Sequence, residues 1–310
     1  MSLCRQTVAF LMLLAGIGLV GAQCEAQPAS PAELDVDTLF QRMDQNGSAL
    51  ESAHLLIYVE KTGYRLDPPA TEKREIEFWA DGVRARCDVR ATECRGTETT
   101  SWQYVKLFDG ERTVETAPPD FDWAAVAHPT DLSEVSKCVG LDGTLALLGW
   151  PITSKLVQGV SFASYLQQLH SDFGFQSPRL VGQEQIGESQ CWGVAVTRRD
   201  AQGGELTKTL WVAPARAYAP VRWEEGTSPC AGKCHHIVDE AEQWLQPFEG
   251  FWIPQEVTRR DYLQEGPGGQ ERLIAEVHCR LVSAAFNIPI VDDVFHVELA
   301  ENAAIYPRRW

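Results

Sequence analysis

Between Leu206 and Glu225 the chain reads LTKTLWVAPARAYAPVRWEE, and this stretch restricts the fold more than any other. Leu206, Leu210 and Val212 fall on one face of an extended segment, with Thr207, Thr209 and Trp211 on the other, which is the period of a strand. Pro214 has no N–H to give to a ladder, so the run stops there. After Pro220, Val221-Arg222-Trp223-Glu224 alternates again. Two alternating runs around a short Pro-containing turn predict neighbouring antiparallel strands.

The same period recurs on both sides. Residues 53–60, 72–80, 82–89, 101–108 and 112–116 read as five strands, with Asp81-Gly82 and Asp109-Gly110 as tight hairpin signals. Further strand runs cover 179–186, 191–199, 235–244, 251–262 and 271–283. Short strands joined by such turns imply an antiparallel meander rather than βαβ units. Ahead of them, Val36, Leu39, Phe40 and Met43 recur at helical spacing. Asp35 and Asp37 stand near the start of this segment and Asn46-Gly47 at its end, so it is an amphipathic helix. Periodicity stops from 117 to 140. A short apolar segment, 141–150, follows and is stopped by Pro151. Ser161 then caps a second helix with Phe162, Tyr165, Leu166 and Leu169 on one face. Residues 117–170 are thus expected to form a helical lid, since long irregular segments in compact domains serve as lids or binding loops.

Met1–Ala22 carries one charge, Arg5, an apolar run from Val8 to Val20 and a small-residue end, Val20-Gly21-Ala22. That is the layout of a secretory signal peptide. A membrane anchor would need about 20 apolar residues. Residues 23–33 read as a linker and 34–310 as a single domain. Cys24 invites lipidation, but Gln23 stands where that modification wants a small residue. Cleavage leaves 26 basic against 43 acidic residues, a balance that excludes nucleic acid as a partner. Eight cysteines would remain, which suits an oxidising compartment such as the periplasm. Spacing singles out two local disulfide candidates, Cys87–Cys94 and Cys230–Cys234.

The strand ending in Trp211, its short turn and the return Ala219-Pro220-Val221-Arg222-Trp223 resemble a strand pair of the periplasmic lipoprotein-carrier (LolA-like) superfamily. The run FDGERTV (108–114) is similar to that group's DG-turn strand. The end FNIPIVDDVFHVELAENA resembles the tail of related exported proteins without an assigned activity. The resemblance spans nearly the whole mature chain, although the cysteines are more numerous and the insert longer than in a typical carrier. It implies an α+β fold: a strongly curved, open antiparallel half-barrel with an N-terminal helix and a helical lid. It also implies a soluble protein of the cell envelope and a partner that is an acyl lipid or a lipid-modified protein.

Cys230-Ala-Gly-Lys-Cys234-His235-His236 is the sharpest local cluster. It reads as a disulfide across a loop; the other readings are a zinc site or a covalent haem using Cys230, Cys234 and His235. His54, His128, His170, His278 and His296 stand singly and have no evident acid–base partner. None of the nucleophile-elbow, zincin, phosphate-loop or dinucleotide motifs occurs, so the chain is read as non-catalytic, without cofactor or metal. The ten tryptophans read mainly as packing. A wide half-barrel also leaves room for acyl chains. Leu145, Leu148, Trp150, Phe162, Tyr165, Trp211 and Trp223 are the residues expected to line such a cavity and its lid. The expectation is a lipid or lipoprotein carrier or sensor. Its alternative is an envelope interaction module on the same fold with no lipid bound.

Overall fold

The computed structural model describes residues 34–65, 68–118, 120–128, 147–148, 162–199, 204–228, 233–266 and 269–307. Its strands are β1 (Ser52–Gly63), β2 (Ala70–Asp81), β3 (Arg84–Arg95), β4 (Glu98–Phe108), β5 (Thr113–Thr116), β6 (Trp123–Ala127), β7 (Arg179–Ile186) and β8 (Ser189–Arg199). They continue with β9 (Glu205–Ala213), β10 (Ala219–Ser228), β11 (Lys233–Ala241), β12 (Trp244–Phe248), β13 (Phe251–Pro254), β14 (Glu256–Glu265), β15 (Arg272–Phe286) and β16 (Ala304–Pro307). The helices are α1 (Val36–Gln45) and α2 (Phe162–Phe173). Among the described residues, fourteen strands form one open sheet in the order β16-β6-β5-β4-β3-β2-β1-β15-β14-β11-β10-β9-β8-β7, and β12 pairs with β13 alone.

Every neighbouring pair in the large sheet is antiparallel except β16 with β6, which is parallel. The sheet is therefore mixed, not purely antiparallel as expected. The difference comes from the chain's end, which returns beside β6 after crossing the sheet's outer face. A second correction concerns residues 117–140. The segment read as irregular contains β6, whose Trp-Ala-Ala-Val-Ala is too short to show a period by itself. Likewise the runs 235–244 and 251–262 each break, because β12 and β13 leave the large sheet as a separate hairpin.

Strand alternation puts Leu55, Ile57, Ile76, Phe78, Val194, Val196, Leu210 and Val212 on one face, here called inner, and all are buried. Leu39, Phe40 and Met43 of α1, Leu147, Leu148, and Leu166 and Leu169 of α2 pack into the same core. Asp35 caps α1, its carboxylate accepting from the Thr38 N–H at 2.7 Å. Asn46 does more than stop the helix: fully buried, it bonds both N–H and C=O of Trp252 and so ties α1 to the β12–β13 hairpin. The outer face carries two smaller clusters. One is Ile186, Cys191, Trp211, Ala213 and Val221. The other, around Leu107 and Val114, is covered by Phe295.

The predicted pair of strands, β9 and β10, is antiparallel, joined by a 3-10 turn over Pro214–Arg216 and by Ala217 and Tyr218 at positive φ. A bulge interrupts its register: Pro220 opposes Val212, yet Arg222 opposes Trp211 and Trp223 opposes Leu210. The extra residue, Val221, turns Trp223 to the inner face and leaves Trp211 on the outer one. In an unbulged ladder both tryptophans would share a face.

Candidate functional site

The inner face is not uniformly apolar. Directly paired residues of an antiparallel ladder point the same way, so charges paired with core residues lie in the core. Lys208 pairs with Val196 on one side and Glu225 on the other. Asp239 pairs with Trp223 and with Arg259, and Arg259 pairs with Val277. Arg74 pairs with Val59. A charged strip thus crosses β9, β10, β11 and β14 beside the apolar field, near α2.

Its geometry is specific. Lys208 Nζ lies 2.9 Å from Glu225 Oε2 and donates to the Tyr165 hydroxyl at 3.4 Å. The same ammonium sits 5.9 Å from the ring centroids of Tyr165, Phe175 and Trp223, where the ring faces attract a cation. Tyr165 and Trp223 are themselves in contact, tilted with centroids 5.9 Å apart. Arg259 Nε donates to Asp261 Oδ1 at 2.8 Å, and its NH1 stands 3.9 Å from Asp239 Oδ2. Asp239 is only 4% exposed, and its Oδ1 is buried without a hydrogen-bond partner.

Burial therefore pushes the Asp239 carboxyl up to about 7; the charge of Arg259 opposes the rise, while Asp261 and Glu225 add to it. Burial also works against the charge of Arg259, but Asp239 and Asp261 outweigh it and hold this guanidinium above its usual range. The Cys279 thiol is driven to about 12, first by burial and then by the charge of Asp239. Three carboxylates, Asp239, Asp261 and Glu225, share two cations, Lys208 and Arg259. Asp239 is the one left with a bare oxygen.

Of the residues expected at a cavity, Leu148 is fully buried in the inner core, and Tyr165 and Trp223 meet at the edge of the charged strip. Trp211 does not join them, because it packs in the outer cluster on the opposite face. Phe162 opens α2, and its side chain lies outside the described residues, as do Leu145 and Trp150. The Cys87–Cys94 bridge is not formed. Both stand on β3, seven residues apart, on opposite faces; an extended strand separates them by about 23 Å, whereas a disulfide spans at most about 7 Å between Cα atoms. Cys234 is disulfide-bonded, and Cys230 lies outside the described residues. His235 and His236, adjacent on β11, point to opposite faces; His236 faces Glu271 at 3.2 Å.

The charged strip is what the sequence reading missed, although a signal was present. Lys208 interrupts the inward series Leu206, Leu210, Val212; Asp239 interrupts Ile237 and Ala241; Arg259 and Asp261 interrupt Val257 and Leu263. A charge at an inward position is the pattern to look for.

No family model and no curated protein matches the chain. Solved structures do. A DUF1329 family protein from Desulfovibrio piger is 9% identical, with 83% of this chain and 94% of that one covered at a TM-score of 0.44. An outer membrane lipoprotein-sorting protein domain from Vibrio parahaemolyticus is 10% identical, covering 82% and 93% at 0.39. LprF from Mycobacterium bovis is 12% identical, covering 86% and 96% at 0.27. No described helix is long and apolar enough to cross a membrane.

Proposed function

We propose that this chain is a non-catalytic exported carrier or sensor that holds an amphiphile, an acyl lipid or the lipid moiety of a lipid-modified protein, against the inner face of its sheet. One observation carries this reading: on a single face an apolar field runs into a half-buried charged strip, with Tyr165 and Trp223 at the junction. Taking charges out of water costs several kcal/mol per ion, and apolar residues of similar volume often serve stability as well or better. A face needed for packing alone has no use for Lys208, Glu225, Asp239 and Arg259. An amphiphile, apolar at one end and polar at the other, matches such a face in both halves.

A second reading is favoured by Leu148. It is 0% exposed within a core of protein side chains, as expected for an interaction module whose inner face is filled by its own lid. Leu148→Asp separates the two. For a carrier, protein purified from its own envelope shows acyl mass by native mass spectrometry; the variant loses that mass while the strands stay folded. For a self-filled module, wild type carries no lipid and takes none up, and the variant melts early, because an unpaired buried charge costs several kcal/mol.

A further inference from the structure

We infer that the polar end of the inner face is built for a ligand bearing a primary ammonium group, with Asp239 as its counter-ion. This rests on the amphiphile reading and names the headgroup class. Around Asp239 stand Arg259 and Asp261 from β14, Glu225 from β10 and Cys279 from β15, with Arg74 of β2 on the far side of Cys279; Lys208 of β9 reaches the group through Glu225. Lys208 is engaged by Glu225 at 2.9 Å, Arg259 by Asp261 at 2.8 Å, and Arg74 by Glu72 at 2.5 Å. Asp239 is left with the longest contact of the set, 3.9 Å to Arg259, and with Oδ1 unmatched.

A buried carboxylate in that position needs a donor. It takes its own proton or an N–H from something bound. An anionic headgroup would enter a site where carboxylates already outnumber cations. A quaternary ammonium brings charge but no N–H for Oδ1. A primary ammonium brings both, as a charge-assisted hydrogen bond, while the apolar part of the same ligand lies along the field beneath α2.

The test compares lysophospholipids with one acyl chain and three headgroups, ethanolamine, choline and glycerol, by competition against a bound fluorescent fatty acid at pH 8. Wild type should bind the ethanolamine form at least tenfold more tightly than the other two. Asp239→Asn, which keeps the side chain's volume, should erase that gap without weakening the glycerol form. On wild type alone, the preference for ethanolamine should grow between pH 6 and pH 8, as the carboxylate loses its proton. Equal binding of all three forms by wild type, or a gap that survives in Asp239→Asn, overturns the inference while the carrier reading stands. Binding of none overturns the carrier reading, and this inference with it.

Discussion

A Cβ on Gly193 would stand 2.8 Å from Cζ3 of Trp211 and 2.7 Å from Cγ2 of Val181. The indole of Trp211 lies over this glycine from the neighbouring strand, so the absence of a side chain on β8 is what seats the largest residue of the outer cluster. Glycine inside a strand often marks such a close approach. Gly193→Ala should therefore destabilise the protein by about 1–3 kcal/mol, the cost of overpacking. Urea denaturation followed by tryptophan fluorescence reads it, and an unchanged midpoint would mean that Trp211 shifts freely. In the sequence, Gly193 is an unremarked member of the run 191–199; only the partner across the ladder gives it a role. The converse holds for Lys208, Asp239 and Arg259. Their inward parity was open to inspection, but which charges meet across four strands depends on register.

At the scale of elements, the β10 bulge decides which tryptophan serves which face. Deleting Val221, the residue without a partner across the β9–β10 ladder, should remove the bulge and leave Trp223 opposite Leu210 on the inner face. Every residue of β10 beyond that point keeps its partner, so the Tyr165–Trp223 contact should survive, and the cost is that of the Val221 side chain lost from the outer cluster and of the straightened strand. Val221→Ala keeps the register and should cost about 1–3 kcal/mol for the truncated side chain. Thermal melts and tryptophan fluorescence of the two variants check this; a deletion variant in which Trp223 becomes solvent-exposed would show that the bulge itself holds Trp223 inward. Other elements were readable because their signals are local. Asp35, the i, i+3, i+4 apolar stripe and Asn46-Gly47 set the limits of α1, and Asp81-Gly82 and Asp109-Gly110 set two turns. β6 and β16 were not readable: four or five residues at a sheet edge carry almost no period, and they exist because each completes the other's ladder.

For the whole molecule, the raised carboxyl of Asp239 makes stability depend on pH. Its folded value of about 7 lies above the ordinary 3.8, so the folded state keeps a proton that the unfolded chain releases. That contribution is fully present below about pH 4 and is lost as pH rises through 7. Relative to Asp239→Asn, wild type should lose roughly 4 kcal/mol between pH 4 and pH 8, at about 1.4 kcal/mol per pH unit of separation. Denaturant titrations at both pH values read the difference, and parallel profiles would show that Asp239 is ionised throughout. The sequence by itself determined most of the strands, their antiparallel pairing around Pro214 and the first helix, because each depends on neighbours close along the chain. Tertiary structure alone decided that Trp223 faces inward and Trp211 outward, that Cys87 and Cys94 do not meet, and that five charges from four strands share one half-buried strip. The physical reason is common to all three. Register and face are set by pairing between segments, and a single bulged residue changes what an entire strand presents.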